Sequence, residues 1–488
     1  MSSGVNKQNS ILMERKLVQD INVEQEEYKD YPKDGKFAML ISICAMLLSV
    51  SSWGVNSAYG IFLNFYLTTN QFPGATEYEF ALIGGLVVFL AQFCGSLSIV
   101  IYKTIGFKKT TMLGVVIQTT AYILSSISTK IWHLFLTEGL LVGISFSLTF
   151  IPSTVLLPTW LDKRMSTGLA ICSSGAGFGG VIFSLAINAL INLTGNQRWA
   201  LRMCAIVTCV ISCACIAIIR ERRINKKVEP PKLSFQLFKE NMGQSLDLKL
   251  YKYYVVCLLC GFYTIAVFSF ILLLFTMASY AKSNGLNYDQ SSVLTSLLNG
   301  FQVIGRPLMG ITGDKIGRIN TTAIVSITAS LTLYAYWINA TSYGSLIGCC
   351  ILLGLCIGVG GTMSQSIGSD LLILIDGKPD RLPALWSNMN IVSSIFCLVA
   401  EVIALAMVVP SSSHPFLHTQ IFVASCFMVC FILMLLIREW TIRVTLQKRL
   451  SPNCLEKIHN QKVIEMYQRL LQPNTLRFLQ RMFYQMGV

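Results

Sequence analysis

Charged residues are scarce in this chain. They make up 13% of its 488 residues, whereas a soluble globular protein carries about 25%. Hydrophobic residues make up 53%, and the mean hydropathy is +0.59. So little charge does not suit the surface of a soluble enzyme, and so apolar a chain does not suit a disordered protein. The composition therefore indicates a surface that mostly meets something other than water.

The motifs of several enzyme classes are also missing. The sequence contains no G-x-x-x-x-G-K-S/T phosphate-binding loop and no H-E-x-x-H zinc motif. Its four histidines are dispersed, and the close pair His414 and His418 flanks Pro415 in a predicted outer loop. We therefore expect no metal, no cofactor and no enzymatic activity. The first 36 residues lack an apolar run, so the sequence predicts no signal peptide.

Apolar runs of about 18–25 residues recur from Phe37 onward, and each is long enough to cross ~30 Å of hydrocarbon as a helix. The predicted spans are 37–67, 80–102, 111–128, 131–157, 167–190, 199–219, 251–277, 290–311, 320–338, 343–371, 383–409 and 416–437. We therefore predict an all-α membrane protein with twelve transmembrane helices.

The basic residues predict how these spans are oriented. Lys and Arg number 38 against 24 Asp and Glu, for a net charge of +14. If both termini are cytosolic, 33 of the 38 fall in cytosolic segments and four in outer loops. This bias follows the positive-inside rule, so the basic excess indicates topology and not nucleic-acid binding. The remaining cation, Arg306, falls inside a span.

The chain divides into two halves of six spans joined by a polar loop. We predict a cytosolic N-terminal tail (1–36), an N-terminal half (37–219), a cytosolic linker (220–250), a C-terminal half (251–437) and a cytosolic C-terminal tail (438–488). Apolar positions in the C-terminal tail follow helical spacing. That pattern suits either a segment lying on the lipids of the anionic cytosolic leaflet or a loosely ordered tail.

Short basic loops with glycine recur in both halves, after the second span and after the eighth. Such tight turns need the backbone freedom of glycine. We expect their charges to hold neighbouring helices together at the cytosolic face. The residues that we expect to act in conformational change are Gly106, Lys108, Lys163, Arg164, Asp314, Gly317 and Arg318.

Duplicated six-span halves with a G-D-x-x-G-R loop resemble the major facilitator superfamily. Three stretches resemble its monocarboxylate porter family, in particular the fungal monocarboxylate-permease homologues. Residues 32–37 (PKDGKF) are similar to a D-G-G-x-G-W stretch, 160–170 (WLDKRMSTGLA) to a basic motif after span four, and 305–314 (GRPLMGITGD) to R-P-x-x-G-x-x-x-D. The resemblance covers residues 32–440 and implies a secondary transporter that works by alternating access.

The resemblance assigns Arg306 to the carboxylate of the substrate. A charged side chain at mid-membrane costs at least ~2.5–3.5 kcal/mol on insertion scales, and the planar guanidinium suits a carboxylate. The alternative interpretation is a structural ion pair, or a side chain that extends toward the cytosol.

The residues of the family's proton route are replaced in this chain. The family's Asp one turn before this Arg corresponds to Gln302, and its Lys in span one corresponds to Asn56. Neither side chain titrates near physiological pH. The protein is therefore either not proton-coupled or uses another group. Glu138 and Glu401 are the intramembrane candidates for proton coupling, with a local structural role as the alternative.

Polar side chains within the spans complete the predicted site. The candidates for substrate binding are Arg306, Asn56, Tyr59, Asn299, Gln302, Tyr263 and Gln365. For each uncharged member, a hydrogen bond between helices is the competing role. We predict transport of a monocarboxylate or related organic anion. The alternatives are another metabolite such as a vitamin, or a non-transporting nutrient sensor. The expected location is the plasma membrane, with a vacuolar or other internal membrane as the alternative.

Overall fold

The computed structural model describes residues 32–69, 71–222, 235–409, 412, 414–451 and 461–484, and these contain helices but no β-strand. In chain order the helices are α1 (Lys36–Thr69), α2 (Glu77–Phe93), α3 (Gly95–Ile105), α4 (Phe107–Ser126), α5 (Ile131–Trp160), α6 (Met165–Thr194), α7 (Gln197–Ile218), α8 (Phe235–Ser245), α9 (Tyr254–Ser283), α10 (Tyr288–Ile316), α11 (Arg318–Asn339), α12 (Tyr343–Ile375), α13 (Leu382–Ala406), α14 (Leu417–Arg449), α15 (Gln461–Leu471) and α16 (Thr475–Phe483). Every predicted span overlaps one of them, and α2 and α3 share the second span.

Among the described residues, nine helices are long and apolar enough to cross a membrane alone. The pair α2 and α3, bent by 45°, forms a tenth candidate. Helices α4 and α10 also overlap predicted spans but are more polar. Lys108 and Lys109 lie in the first turn of α4, and Arg306 and Asp314 lie within α10. The fold is therefore an all-α membrane fold, and the count of twelve crossings stays a prediction.

Several helices depart from the uniform spans that apolar runs predict. Helix α1 contains a π-helical turn at Val50–Gly54, and α5 contains one at Phe135–Leu141. Such turns widen a helix locally and are frequent at functional sites. The α1 turn ends where the backbones of α1 and α6 meet, because a Cβ on Gly54 would lie 2.6 Å from the Gly179 Cα atom. Only glycine permits this approach.

Helices α6 and α10 pack closely where the two halves of the chain meet. A Cβ on Gly177 of α6 would lie 2.5 Å from the Asn299 carbonyl oxygen on α10. Further along the same pair, a Cβ on Gly310 would lie 2.5 Å from the Ala170 Cβ. Small residues thus bring the two backbones together, as is common between membrane helices. This contact forms one side of the space that contains the candidate site.

The described part of the C-terminal tail packs against the end of α14. The Arg481 Nε atom lies 2.7 Å from the Glu439 Oε1 atom, and both side chains are buried. Ile442 and Leu446 of α14 form a small apolar cluster with residues of α15. The tail helices therefore dock on the C-terminal half of the chain. Whether they lie on a lipid leaflet stays a prediction.

Candidate functional site

A cavity of about 450 Å³ lies between the two halves of the chain. Its wall is formed by α1, α2, α5 and α6 on one side and by α9, α10, α12 and α13 on the other. The residues predicted to bind substrate all lie in this wall: Asn56, Tyr59, Tyr263, Asn299, Gln302, Arg306 and Gln365. The fold thus brings together polar side chains from four helices that are distant in sequence.

Arg306 is a buried cation in this wall, with 8% of its surface exposed. Its Nη1 donates to the Ser173 carbonyl oxygen on α6 at 2.6 Å, and its Nη2 donates to Gln302 Oε1 at 2.5 Å. Gln302 in turn donates through Nε2 to Asn299 Oδ1 at 3.2 Å. No ion pair includes Arg306 among the residues that the structure describes. Its charge therefore meets only neutral oxygens there.

The position of the guanidinium depends on Gly358 of α12. A Cβ at this position would lie 2.5 Å from the Arg306 Nε atom and 3.0 Å from its Cγ atom. The backbone of α12 therefore packs directly against the side chain of Arg306. On another side, the guanidinium carbon lies 5.9 Å from the centre of the Phe270 ring, which is within the range of a cation–π contact.

Other predicted residues connect helices across the wall. Tyr263 donates its hydroxyl to Asn390 Oδ1 at 3.0 Å, which joins α9 to α13. Gln365 donates to the Thr154 carbonyl oxygen at 3.0 Å, which joins α12 to α5 and so links the two halves. Tyr59 donates to a backbone carbonyl of α2 at 3.0 Å. These side chains thus make helix-to-helix bonds while also facing the cavity, so both roles considered for them stay open.

The charged side chains that the structure describes in the cavity wall are cations. Among its described residues the charged members are Arg306 and, near the end of α9, Lys282, whereas Asp and Glu are absent from the wall. A cleft lined by charge of one sign attracts ligands of the opposite sign. Within the described wall, Arg306 therefore presents a buried positive charge to the cavity.

The two halves are hydrogen-bonded beyond the Arg306 end of the cavity. The carboxylate of Asp314 on α10 accepts the backbone N–H groups of Ser166 and Thr167 at 3.2 and 2.8 Å, at the start of α6. It also accepts the Thr167 hydroxyl at 2.7 Å. Negative charge is favourable at a helix N-terminus. In the other direction the wall continues to Lys282 and Phe416.

Arg318, one turn after Asp314, extends this contact. Its Nη1 lies 2.6 Å from Asp370 Oδ1 on α12, and its Nη2 donates to the Asp162 carbonyl oxygen at 3.3 Å. Gly317 between them has φ +101°, a conformation that L side chains rarely adopt. The loop after the eighth predicted span therefore contacts both halves.

The remaining loop residues make contacts within the first half. Gly106 has φ +85°, and the Lys108 Nζ donates to the Ala217 carbonyl oxygen at 3.4 Å. Lys163 and Arg164 donate backbone N–H groups to the Asp34 carboxylate at 3.0 and 3.1 Å. The loop after the second predicted span thus holds α4 to α7 and does not reach the second half through these bonds.

A sequence profile of the Major Facilitator Superfamily matches residues 41–400. The chain belongs to the major facilitator superfamily. It is 35% identical over 480 residues to the uncharacterized transporter ESBP6 of Saccharomyces cerevisiae, an alignment that covers 94% of this chain and 70% of that protein. It is 28% identical to the probable transporter MCH2 of the same yeast, over 80% of each chain. It is 24% identical to the aspyridones efflux protein apdF of Emericella nidulans, over 82% of this chain and 78% of that protein. The protein is thus a secondary transporter of this superfamily.

Of the two carboxyl groups predicted to take part in proton coupling, the structure describes the surroundings of Glu138 only. Glu138 lies in the π-helical turn of α5 and is 5% exposed, but it is not among the residues of the cavity wall. Its Oε1 accepts the Ser125 hydroxyl at 2.7 Å and the Tyr66 hydroxyl at 3.1 Å. Glu401 belongs to α13, and its side chain lies outside the described part of the structure.

Sequence reasoning missed several wall residues of the transporter. Asn390 and Trp386 of α13 lie in the wall beside Tyr263, and the Ser173 backbone carbonyl binds Arg306. Asn388 and Asn390 are polar residues inside an apolar predicted span, but this pattern does not reveal that Asn390 lies beside Tyr263. A backbone carbonyl leaves no such signal, because every residue has one.

Proposed function

We propose that this transporter carries an organic anion, of which a monocarboxylate is the simplest case, and that Arg306 binds the anionic group. The observation that supports the proposal is a buried guanidinium in a cavity whose described wall contains no carboxylate. Burying a charge without a counter-charge is costly. For the same reason, a buried ion pair that loses one partner is strongly destabilised. An anion from solution supplies the missing charge.

The chemistry of Arg306 fits a carboxylate in particular. The planar guanidinium presents N–H donors that match two carboxylate oxygens, and such charge-assisted bonds are about twice as strong as neutral ones. Its partners in the structure are the neutral oxygens of Ser173 and Gln302. A bound carboxylate would replace one of these neutral oxygens as the acceptor of the Arg306 N–H groups. Asn299 and Gln302 offer amide groups for further polar atoms of the substrate.

Alternating access supplies the transport step of the proposal. With Asp314 bound to the start of α6, the halves are held together at one end while the cavity extends toward the other. Breaking these bonds would let α6 and α10 separate and expose Arg306 from the opposite side. We assign the closed end to the cytosol, with both chain termini on that side, because most Lys and Arg residues then face the cytosol.

A second candidate is the export of a larger organic compound. Two relatives are named as efflux proteins, for agnestins and for aspyridones. The cavity of about 450 Å³ falls in the range of sites that hold drug-sized ligands, roughly 300–1,000 Å³. Both candidates use the same wall and the same cation, and they differ in substrate size and direction.

Uptake into proteoliposomes tests the proposal. We expect the purified full-length protein to transport radiolabelled lactate or benzoate. Arg306→Ala should lower the rate about ten- to hundredfold, since a hydrogen bond to a charged group contributes about 1.5–3 kcal/mol. Arg202→Ala is the matched control, because Arg202 lies over Trp199 on α7 and outside the cavity wall.

Three outcomes contradict parts of the proposal. Unchanged transport by Arg306→Ala shows that Arg306 does not bind the anion. Binding of either probe without flux indicates a nutrient sensor on a transporter fold. Flux of a neutral compound that is independent of Arg306 indicates a carrier for a different class of metabolite.

A further inference from the structure

Glu138 occupies a pocket separate from the cavity wall, where α5 meets α1 and α4. Its Oε1 accepts two hydroxyls, from Ser125 at 2.7 Å and from Tyr66 at 3.1 Å. Its Oε2 is buried and has no hydrogen-bond partner in the described structure. A carboxylate has about four acceptor sites, so half of its hydrogen-bonding capacity is unused in this pocket.

Among the residues that the structure describes, the groups around Glu138 supply no positive charge. The titratable side chains near it are the Tyr66 hydroxyl of α1, the Tyr122 hydroxyl of α4 and the Cys204 thiol of α7. From α2 the contact is apolar, through Leu86, whose side chain packs over the adjacent Gly139. No Lys, Arg or His forms an ion pair with Glu138 among the described residues. An unpaired carboxylate is far costlier to bury than the neutral acid, so the closed pocket accommodates the neutral acid.

The pocket is mechanically connected to the cavity through α1. Tyr66 stacks on Phe80 of α2 with ring centres 5.6 Å apart, and the Phe80 carbonyl accepts the hydroxyl of Tyr59, a wall residue. Leu63 and Asn64, within one turn of Tyr66, also line the cavity. Any movement of this part of α1 therefore changes both the cover of Glu138 and the wall of the cavity.

We propose that Glu138 is a proton-binding site that couples protonation to the position of the outer part of α1. With a proton on the carboxyl group, the pocket stays closed and Tyr66 packs against α5. When the proton leaves to water, the carboxylate needs solvent, and it favours the state in which α1 has moved away. The proton and the substrate thereby bias the same two-state element, which is the requirement for coupling. The proton site itself does not depend on the proposed function. Only its consequence, proton-linked transport, rests on the proposed transport function.

Replacing Glu138 by Gln tests the coupling. The amide keeps the shape of the neutral acid and cannot lose a proton. In proteoliposomes with lactate or benzoate, we expect Glu138→Gln to retain exchange of internal for external anion. It should lose the extra accumulation that a pH gradient drives, and its rate should no longer depend on pH. Glu240→Gln is the control, because Glu240 is exposed on α8 and bonds only to Gln236 among described residues. Gradient-driven accumulation by Glu138→Gln equal to that of the unchanged protein would overturn the coupling role.

Infrared difference spectroscopy tests the proton site independently of transport. As pH is raised, the full-length protein should lose a protonated-carboxyl band that Glu138→Gln lacks and Glu240→Gln retains. The same result without flux of either probe would contradict the proposed function and leave the proton site standing. Identical difference spectra for the unchanged protein and Glu138→Gln would refute the proton site itself.

Discussion

At the scale of single residues, the position of Arg306 depends on Gly358, which has no side chain to occupy the space beside the guanidinium. Gly358→Ala would place a methyl group 2.5 Å from the Arg306 Nε atom. Overpacking of this kind costs about 1–3 kcal/mol, and here the guanidinium is the group that must move. We expect the uptake rate of lactate or benzoate to fall about five- to hundredfold.

Gly344→Ala, on the same helix but outside the cavity wall, is the matched control for Gly358→Ala. A Cβ there meets nothing within 4 Å. Both variants should elute as folded monodisperse protein, and only Gly358→Ala should lose transport. Equal uptake rates for the two variants would show that Arg306 does not require its present position.

Candidate site residues could be chosen from the sequence where their chemistry differs from that of the surrounding residues. Arg306 stands out because it is a cation inside an apolar run. Asn299 and Gln302 precede it on α10 at helical spacing. Asn390 could not be assigned to the site, because its position beside Tyr263 depends on how α13 packs against α9. The Ser173 carbonyl could not be found at all, since backbone groups carry no sequence signal.

At the scale of elements, the loop between α5 and α6 is held by a carboxylate from the start of α1. Asp34 accepts the backbone N–H groups of Asp162, Lys163 and Arg164 at 3.0, 3.0 and 3.1 Å. Partial burial acts to raise the pKa of Asp34, but the N–H donors outweigh it and hold the pKa below its ordinary value. The stabilisation is therefore present at neutral pH, above the unfolded-state pKa of about 3.9. It is lost as pH falls through the lower pKa of the folded state.

We expect Asp34→Asn to lower the melting temperature of the purified protein at neutral pH. The amide has one acceptor oxygen in place of two and no charge. Asparagine tolerates the positive φ of +58° at this position, so backbone strain is not the cause. The difference from the unchanged protein should shrink as pH falls below about 4. Asp380→Asn, at an exposed residue of the 3-10 turn Pro379–Arg381, should leave the melting temperature unchanged at every pH. A difference for Asp34→Asn that grew toward acid pH would contradict this assignment.

Whole helices were predictable because a run of apolar residues long enough to cross a bilayer is a strong linear signal. The interruptions within these helices were not predictable from the sequence. The 45° bend between α2 and α3 and the π-helical turn at Phe135–Leu141 in α5 depend on packing against other helices. The second of these interruptions holds Glu138, so its environment could not be read from the sequence.

At the scale of the whole molecule, the bonds of Asp314 to the start of α6 are an obstacle that transport must remove. Asp314→Asn replaces a charged acceptor by a neutral one at Ser166 and Thr167. Hydrogen bonds to charged groups contribute about 1.5–3 kcal/mol, so we expect the population of molecules open at this end to rise by roughly ten- to hundredfold if most of that is lost.

The native Cys172 reports this opening, because it lies in the cavity wall on α6 next to Ser173. In vesicles of known orientation, Asp314→Asn should speed its labelling by a membrane-impermeant thiol reagent from the Asp314 side and slow it from the other side. Cys172→Ser identifies the signal. Asp376→Asn is the control, because it breaks an ion pair with Arg381 inside the second half of the chain. If Asp314→Asn and Asp376→Asn label at the same rates from both sides, the Asp314 contact does not govern access, and the barrier between the two open states lies elsewhere along α6 and α10.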